Sequence, residues 1–154
     1  MGQIQRWNWK SWDTLSRDEL YALLQLRQAI FIVEQNCPYL DADGIDFSAG
    51  HLLGWDNKEN LVGYSRVYLH ENNPLEASIG RVIVHSNLRG SGIGYELMKK
   101  TEDFALKHWP RKLTAFTLSA QSHLKFFYSK LGYEVCGPGY DEDGIPHLPM
   151  RKDL

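Results

Sequence analysis

The sequence predicts an α/β (α+β) fold built on a mixed sheet, and three observations carry that reading. Runs of β-branched and aromatic residues with two-residue alternation recur along the chain, as half-buried strands require. Two longer stretches keep apolar residues at helical spacing, each behind a start signal. The second of these belongs to a unit, Ile79 to about His108, that reads as a strand, a glycine-rich turn and a helix. Taken in order, the elements run β-α-β-β-β-α-β-α-β-β, with strands around three or four helices.

Gln5 to Lys10 alternates, with Trp7 and Trp9 on one side, and is a short first strand. Ser16-Arg17-Asp18-Glu19 is a capping box, Ser16 accepting from the Glu19 amide while the Glu19 carboxylate reaches back. The helix that follows places Leu20, Leu23, Leu24, Ile30 and Phe31 on one face. Residues 35–50 are loop by composition, broken at Pro38, Gly44 and Gly50. His51 to Asp56 and Leu61 to Leu69 are strands at hairpin spacing, and Ala77 to Val84 is another. A helix runs from near Gly92 to about His108, with Leu97, Met98, Thr101, Ala105 and His108 on one face, and Pro110 stops it. Leu113 to Ala120 is a strand, His123 to Leu131 a short helix capped by Gly132, and Tyr133 to Cys136 a strand. His147 to Arg151 is the candidate to close the sheet, leaving 137–147 as loop.

Composition narrows the function classes. With 154 residues the chain fits one domain, and with 43% apolar and 23% charged residues it is an ordinary globular sequence. A net charge of −2 without a block of five or more like charges gives no nucleic-acid footprint. The two cysteines, Cys37 and Cys136, have neither zinc nor disulfide spacing and read as free thiols in a reducing compartment. The start is polar and aromatic, without a secretory h-region. It opens Met-Gly, but Arg6 stands where a myristoylation pattern wants Ser or Thr. No apolar run approaches the ~18–20 residues of a membrane span, so the expectation is a soluble, cytoplasmic protein with no membrane partner.

The chemistry concentrates in Ile79 to Gly94. The strand containing Val82, Ile83 and Val84 leads into Arg89-Gly90-Ser91-Gly92-Ile93-Gly94, which opens a helix. Small residues let a ligand approach the backbone, and a helix N-terminus offers unpaired amides at the positive end of its dipole. Such a turn suits a phosphate or pyrophosphate, and Arg89 adds a charge able to pair with phosphate oxygens. A Walker A loop is excluded because Tyr95-Glu96 follows Gly94 where Lys-Ser/Thr belongs. The dinucleotide fingerprint fails where Tyr95 replaces its third glycine. On these residues alone, a turn serving only chain reversal is an equal alternative.

Arg89-x-x-Gly92-x-Gly94 after Val82-Ile83-Val84 resembles the acyl-CoA-binding signature of the GNAT N-acetyltransferase superfamily. Phe126-Phe127-Tyr128-Ser129-Lys130-Leu131-Gly132-Tyr133 is similar to that family's second signature. Tyr21-Ala-Leu-Leu-Gln-Leu-Arg27, Phe31 to Tyr39 and Asp143-Gly144-Ile145-Pro146-His147 resemble its ElaA-like subgroup. The resemblance implies a single GNAT domain over 1–154, with a central sheet of six to seven strands flanked by about four helices. It further implies transfer of an acetyl group from acetyl-CoA, as cosubstrate, to a primary amine by direct attack, the acceptor being a small molecule or a protein amino group. A non-catalytic acyl-CoA-binding or sensing module is the alternative. Many relatives pair through the C-terminal strands, so a homodimer is compatible with the resemblance.

Direct transfer needs a neutral amine, a stabilised oxyanion and a proton for the departing thiolate. An alkylamine of pKa ~10.4 is neutral about once in 2,500 molecules at pH 7, a deficit of ~4.6 kcal/mol that a base or water relay must offset. Backbone amides of Val82 to Val84 are candidate oxyanion donors. The resemblance makes Tyr128 the candidate acid, although donation from a phenol to a thiolate near pKa ~8.5 is uphill by roughly 2 kcal/mol unless a helix dipole corrects it. Gln121 stands where the family often carries an asparagine bonded to the pantetheine arm.

The base is open among several groups. His123 is a candidate or a solvent-facing helix-start residue. Arg27 and Glu34, two helical turns apart, form a structural ion pair, or else Glu34 faces the cleft and selects or deprotonates the amine. Asp41, Asp43 and Asp46, with the tail Asp141-Glu142-Asp143, either draw a cationic amine by their field or are solvated surface. Asp41-x-Asp43-Gly44-x-Asp46 looks like a calcium loop, but Leu52 stands where its last glutamate belongs. His51, His85, His123 and His147 lack ligand spacing, and no metal is expected.

Overall fold

A computed structural model describes residues 3–154; Met1 and Gly2, on which the myristoylation pattern was read, lie outside the described residues. The elements are β1 (Arg6–Ser11), α1 (Arg17–Arg27), β2 (Gly50–Trp55), β3 (Leu61–Leu69), β4 (Glu76–Val84), α2 (Ile93–His108), β5 (Ala115–Gln121), α3 (Lys125–Lys130), β6 (Glu134–Val135), β7 (Tyr140–Glu142) and β8 (Ile145–Asp153). The eight strands form one mixed sheet in the order β1-β2-β3-β4-β5-β8-β6, with β7 also paired to β8. All neighbours are antiparallel except β4 and β5, which α2 joins as a parallel pair.

The start of α1 follows from the capping box. Ser16 Oγ accepts from the Glu19 amide at 3.0 Å and Glu19 Oε1 accepts from the Ser16 amide at 2.8 Å. Helix α1 then widens into a π-helical segment, Gln28–Glu34, in which Gln35 N–H donates to Ile30 O and Cys37 N–H to Ile32 O, both at 3.1 Å. This widening slips the helical phase: Ile30 and Phe31 still pack against the cluster that Leu23 and Leu26 enter, while Glu34 at the segment's end is exposed.

Both faces of the sheet are covered. On one, α2 and α3 pack Met98, Ala105 and Tyr128 over Phe116, Leu118 and Met150. On the other, α1 sets Leu23 and Leu26 on Leu53, Trp55, Tyr64 and Ile83. Helix α2 buries Leu97, Met98, Thr101 and Ala105 as its pattern predicts, whereas His108 is exposed at its end and lies against Trp9.

The strand count exceeds the expected six to seven because 137–147 is no plain loop. Tyr140–Glu142 and Ile145–Asp153 form a hairpin through Asp143 and Gly144, whose φ values are 52° and 83°. Asp-Gly with two left-handed residues is a strong hairpin signal, and it stood in the sequence. The fourth helix is absent as a separate element: three α-helices are described, with the π-helical segment continuing the first. Among the described residues no helix is long and apolar enough to cross a membrane.

Candidate functional site

Strands β4 and β5 pair only at Glu76–Ser78 against Ala115–Thr117. Beyond those residues each keeps its outer neighbour, β4 pairing with β3 to Val84 and β5 with β8 to Gln121, while they leave each other. The sheet is therefore open at its centre, beside the turn that leads to α2.

A bulge shapes the β4 wall. Tyr64 pairs with Ile83 but Arg66 with Gly80, so Arg81 and Val82 together oppose Ser65. Arg81 has φ 51°, a left-handed value rare for a residue with a side chain. The extra residue inverts the side-chain alternation: Ile79 packs under α2, whereas Ile83 packs under α1. It also determines which amides face the opening. His85 N–H donates to Val62 O at 2.8 Å. Amides alternate between the two edges of a strand, so those of Val82 and Val84 turn away from β3, toward the side that β5 has left. Ile83 is committed to β3 through its pairing with Tyr64, and its side chain is core.

The following loop divides its labour. Gly90 and Gly92 hold φ 82° and 83°, and a Cβ on either would meet nothing, so their backbone borders open space. Gly92 caps α2, whose first amides are unpaired at the positive end of a 16-residue helix. These features fit an anionic phosphate group. The neighbours serve packing. Ile93 is buried with Val62 and Leu88, Ser91 Oγ donates to Leu88 O, and a Cβ on Gly94 would come within 3.1 Å of the Phe127 ring.

Arg89 and Glu34 meet. The Arg89 guanidinium donates from Nη1 to Glu34 Oε1 at 2.6 Å, from Nη2 to Oε2 at 2.8 Å, and from Nε to Val84 O at 3.1 Å. The pairing of Arg27 with Glu34 is thus overturned, because the π-helical segment rotates Glu34 off the face that Arg27 shares with the core. Arg89 holds the Glu34 carboxyl below its ordinary value, the opposite of the tuning a general base needs. Beside it, Gln35 and Gln121 exchange long amide contacts of 3.4 and 3.3 Å, linking the end of the π-helical segment to the tip of β5.

Arg27 is instead fully buried, donating from Nε to Asp41 Oδ2 at 2.8 Å and from Nη1 to Asp46 Oδ1 at 2.7 Å. Arg66 bonds Asp46 Oδ1 at 3.0 Å and Asp43 Oδ1 at 2.9 Å, and Arg81 bonds Asp41 Oδ1 at 2.7 Å. The charges of the acidic loop are therefore paired with three arginines, Asp41 and Asp46 in the interior and Asp43 at the surface. Burial pushes the Asp43 and Asp46 carboxyls up, but the arginines prevail and hold both low, Asp43 at about 2. Sequence reasoning missed Arg66 and Arg81. The only available signal was that unpaired arginines inside predicted strands need buried partners. The other acidic run, Asp141-Glu142-Asp143, is exposed on the β7–β8 hairpin, where Glu142 Oε2 lies 3.3 Å from His147 Nε2.

Tyr128 is buried between Phe127 and Tyr133, and its hydroxyl has no hydrogen-bond partner among the described residues. Burial alone pushes its phenol up to about 12. It lies in the second half of the six-residue α3, so the dipole of its own helix does not favour phenolate. His123 is exposed on a short turn before α3, with no hydrogen bond among the described residues.

Residues 42–154 match the acetyltransferase (GNAT) domain. The ElaA protein of Escherichia coli (strain K12) is 47% identical over 142 residues, covering 91% of each chain. The crystal structure of Escherichia coli ElaA superposes with a TM-score of 0.87 at 44% identity, covering 99% of both chains. An acyl-CoA N-acyltransferase from Pseudomonas aeruginosa gives a TM-score of 0.86 at 38% identity, over 96% of this chain and 99% of that one.

Proposed function

Because the chain belongs to the GNAT acetyltransferase family, in its ElaA-like branch, we propose that it moves an acetyl group from acetyl-CoA to a primary amine by direct attack in a ternary complex. The observation that carries this reading is the parting of β4 and β5 beside an open glycine turn at the N-terminus of α2. An extended, phosphate-bearing thioester fits such a slot lengthwise, its phosphates at the helix end and its acyl group between the strands. Family membership supports acyl transfer from acyl-CoA, and acetyl as the group with an amine as its acceptor is the proposal.

In this reading the amides of Gly90 to Gly94 receive the phosphates, helped by the helix dipole and by Arg89. The Val82 and Val84 amides line the β4 wall, where a donor to the thioester oxygen lowers the barrier most if it is fixed before reaction. Gln121, at the tip of β5, bonds the pantetheine arm in place of its present contact with Gln35. Tyr128 supplies the proton to the thiolate. A phenol near 12 keeps that proton at every pH the enzyme meets, yet giving it to a thiolate near 8.5 is uphill by roughly 5 kcal/mol. Tyr128 therefore acts by donating a strong hydrogen bond as thiolate charge develops, with transfer completed as the site opens to water. Glu34, held low by Arg89, is better suited to attract a cationic amine than to deprotonate it. His123, being exposed, fits a relay to solvent better than a fixed base. The free thiols Cys37 and Cys136 support a cytoplasmic setting.

Calorimetric titration with acetyl-CoA, CoA and ATP tests the reading. Micromolar binding of acetyl-CoA and CoA, weakened by Arg89→Ala and missing for ATP, followed by thiol release with a panel of primary amines, is the expected result. Binding without turnover of any amine would favour a sensing module, and no binding would remove the reading altogether.

A further inference from the structure

Resting on the acyltransfer reading, one feature of the β4 wall has its own support. Arg81 occupies a left-handed conformation at the bulge, with φ 51°, where an L-residue is disfavoured and glycine would be expected. Gly80 precedes it, yet the strained position is filled by arginine. Something outside the backbone must hold it there.

The partly buried side chain is held by several contacts. Its Nε donates to Asp41 Oδ1 at 2.7 Å, its Nη2 to Asp41 O at 3.1 Å, and Asp43 Oδ2 lies 3.4 Å from Nη2. The guanidinium carbon sits over Phe31 at 6.0 Å and Tyr39 at 5.7 Å. Asp41 is itself fixed, by Arg27 at 2.8 Å and by the Tyr39 hydroxyl at 2.9 Å. The buried ion network thus ends on the one residue whose φ creates the bulge, immediately before Val82.

We propose that Arg81, clamped by Asp41, is a positioning residue for acyl transfer: it holds the left-handed bulge that aims the Val82 amide into the opening between β4 and β5. Without the clamp, a side-chain-bearing residue relaxes toward ordinary extended backbone. The bulge then slides or dissolves, and the amide loses its aim. Such a residue affects the reacting centre without touching it.

The test compares Arg81→Ala with Arg81→Gly in the full chain. Two readouts are needed: turnover of acetyl-CoA with a primary amine found in the screen, and the amide resonances of Val82 and Val84 in a ¹⁵N–¹H spectrum. Arg81→Ala is expected to lower kcat about 10- to 100-fold, somewhat less than deleting an oxyanion donor outright, with KM for acetyl-CoA changed less than about 3-fold. It is also expected to shift both resonances. Arg81→Gly adopts the left-handed conformation without strain, so it is expected to fold, to restore the resonances toward their original positions and to recover part of kcat. Equal losses in both variants that track their melting temperatures would overturn the inference, as would unmoved resonances in Arg81→Ala. If the unaltered protein turns over no amine, the acyltransfer reading fails, while the resonances still decide whether Arg81 sets the bulge.

Discussion

Glu34 takes both arms of the Arg89 fork, at 2.6 and 2.8 Å, and so a carboxylate sits against the turn that opens α2. Both side chains are nearly half exposed, which limits what the pair adds to stability to about 1 kcal/mol or less. Its larger effect is electrostatic. A negative charge beside the proposed phosphate site opposes an anionic ligand, and it occupies donors that the ligand would use.

Glu34→Gln is therefore expected to tighten CoA binding about three- to fivefold at low salt, with the gain shrinking as ionic strength rises. Arg89→Ala moves affinity the other way, by about tenfold. Calorimetry at two salt concentrations measures both; a weaker complex with Glu34→Gln would mean that the pair builds the site instead of competing with it.

Tyr128→Phe separates stability from catalysis. The Tyr128 hydroxyl bonds nothing among the described residues, so its removal should leave the unfolding free energy within about 0.5 kcal/mol, or raise it slightly. If the phenol assists the departing thiolate, kcat falls about 100-fold while CoA binding persists. Unchanged turnover in the phenylalanine variant would remove Tyr128 from the mechanism.

Arg27 is the keystone of the buried ion network. Arg27→Met keeps most of the stem volume but takes from the buried Asp41 and Asp46 one of the two arginines that each bonds, leaving Arg81 on the first and Arg66 on the second. A loss of about 3–5 kcal/mol is expected, read as a lower urea midpoint with an unchanged denaturant slope. A loss below about 1 kcal/mol would show that water replaces the guanidinium at little cost.

Acid should unfold the protein in two stages. Burial holds His51 below its ordinary 6.5, so the unfolded chain binds that proton first and stability begins to fall below about pH 6.5. Asp43 and Asp46 are held low in the folded state, Asp43 at about 2. Their contribution is whole above about pH 4 and is lost as pH falls through the folded values, with the share of the part-exposed Asp43 reduced by solvent screening. Urea midpoints from pH 7 to pH 2 follow both stages, and a curve flat from pH 6 to pH 2 would contradict the network's role.

Much of this molecule was legible because much of it is local. The Ser16–Glu19 box, the apolar stripe of α2, its stop before Pro110 and the glycine turn after β4 involve partners a few residues apart, and backbone sterics decide them. The family signature in that turn rested on the same short-range logic. Asp143-Gly144 was equally local, and the hairpin it makes was there to be read.

The partners of the charged residues were not legible, since they depend on which strands lie side by side and on helical phase. A widened turn after Arg27 sends Glu34 to Arg89. The sheet order then brings Arg66 and Arg81 to the Asp41–Asp46 loop, and a single extra residue in β4 decides which amides face the opening. The sequence by itself determined the elements and the glycine turn, through contacts within one or two turns of chain. Only the tertiary structure decided where the charges went, because a buried charge takes whichever opposite charge the packing brings within reach.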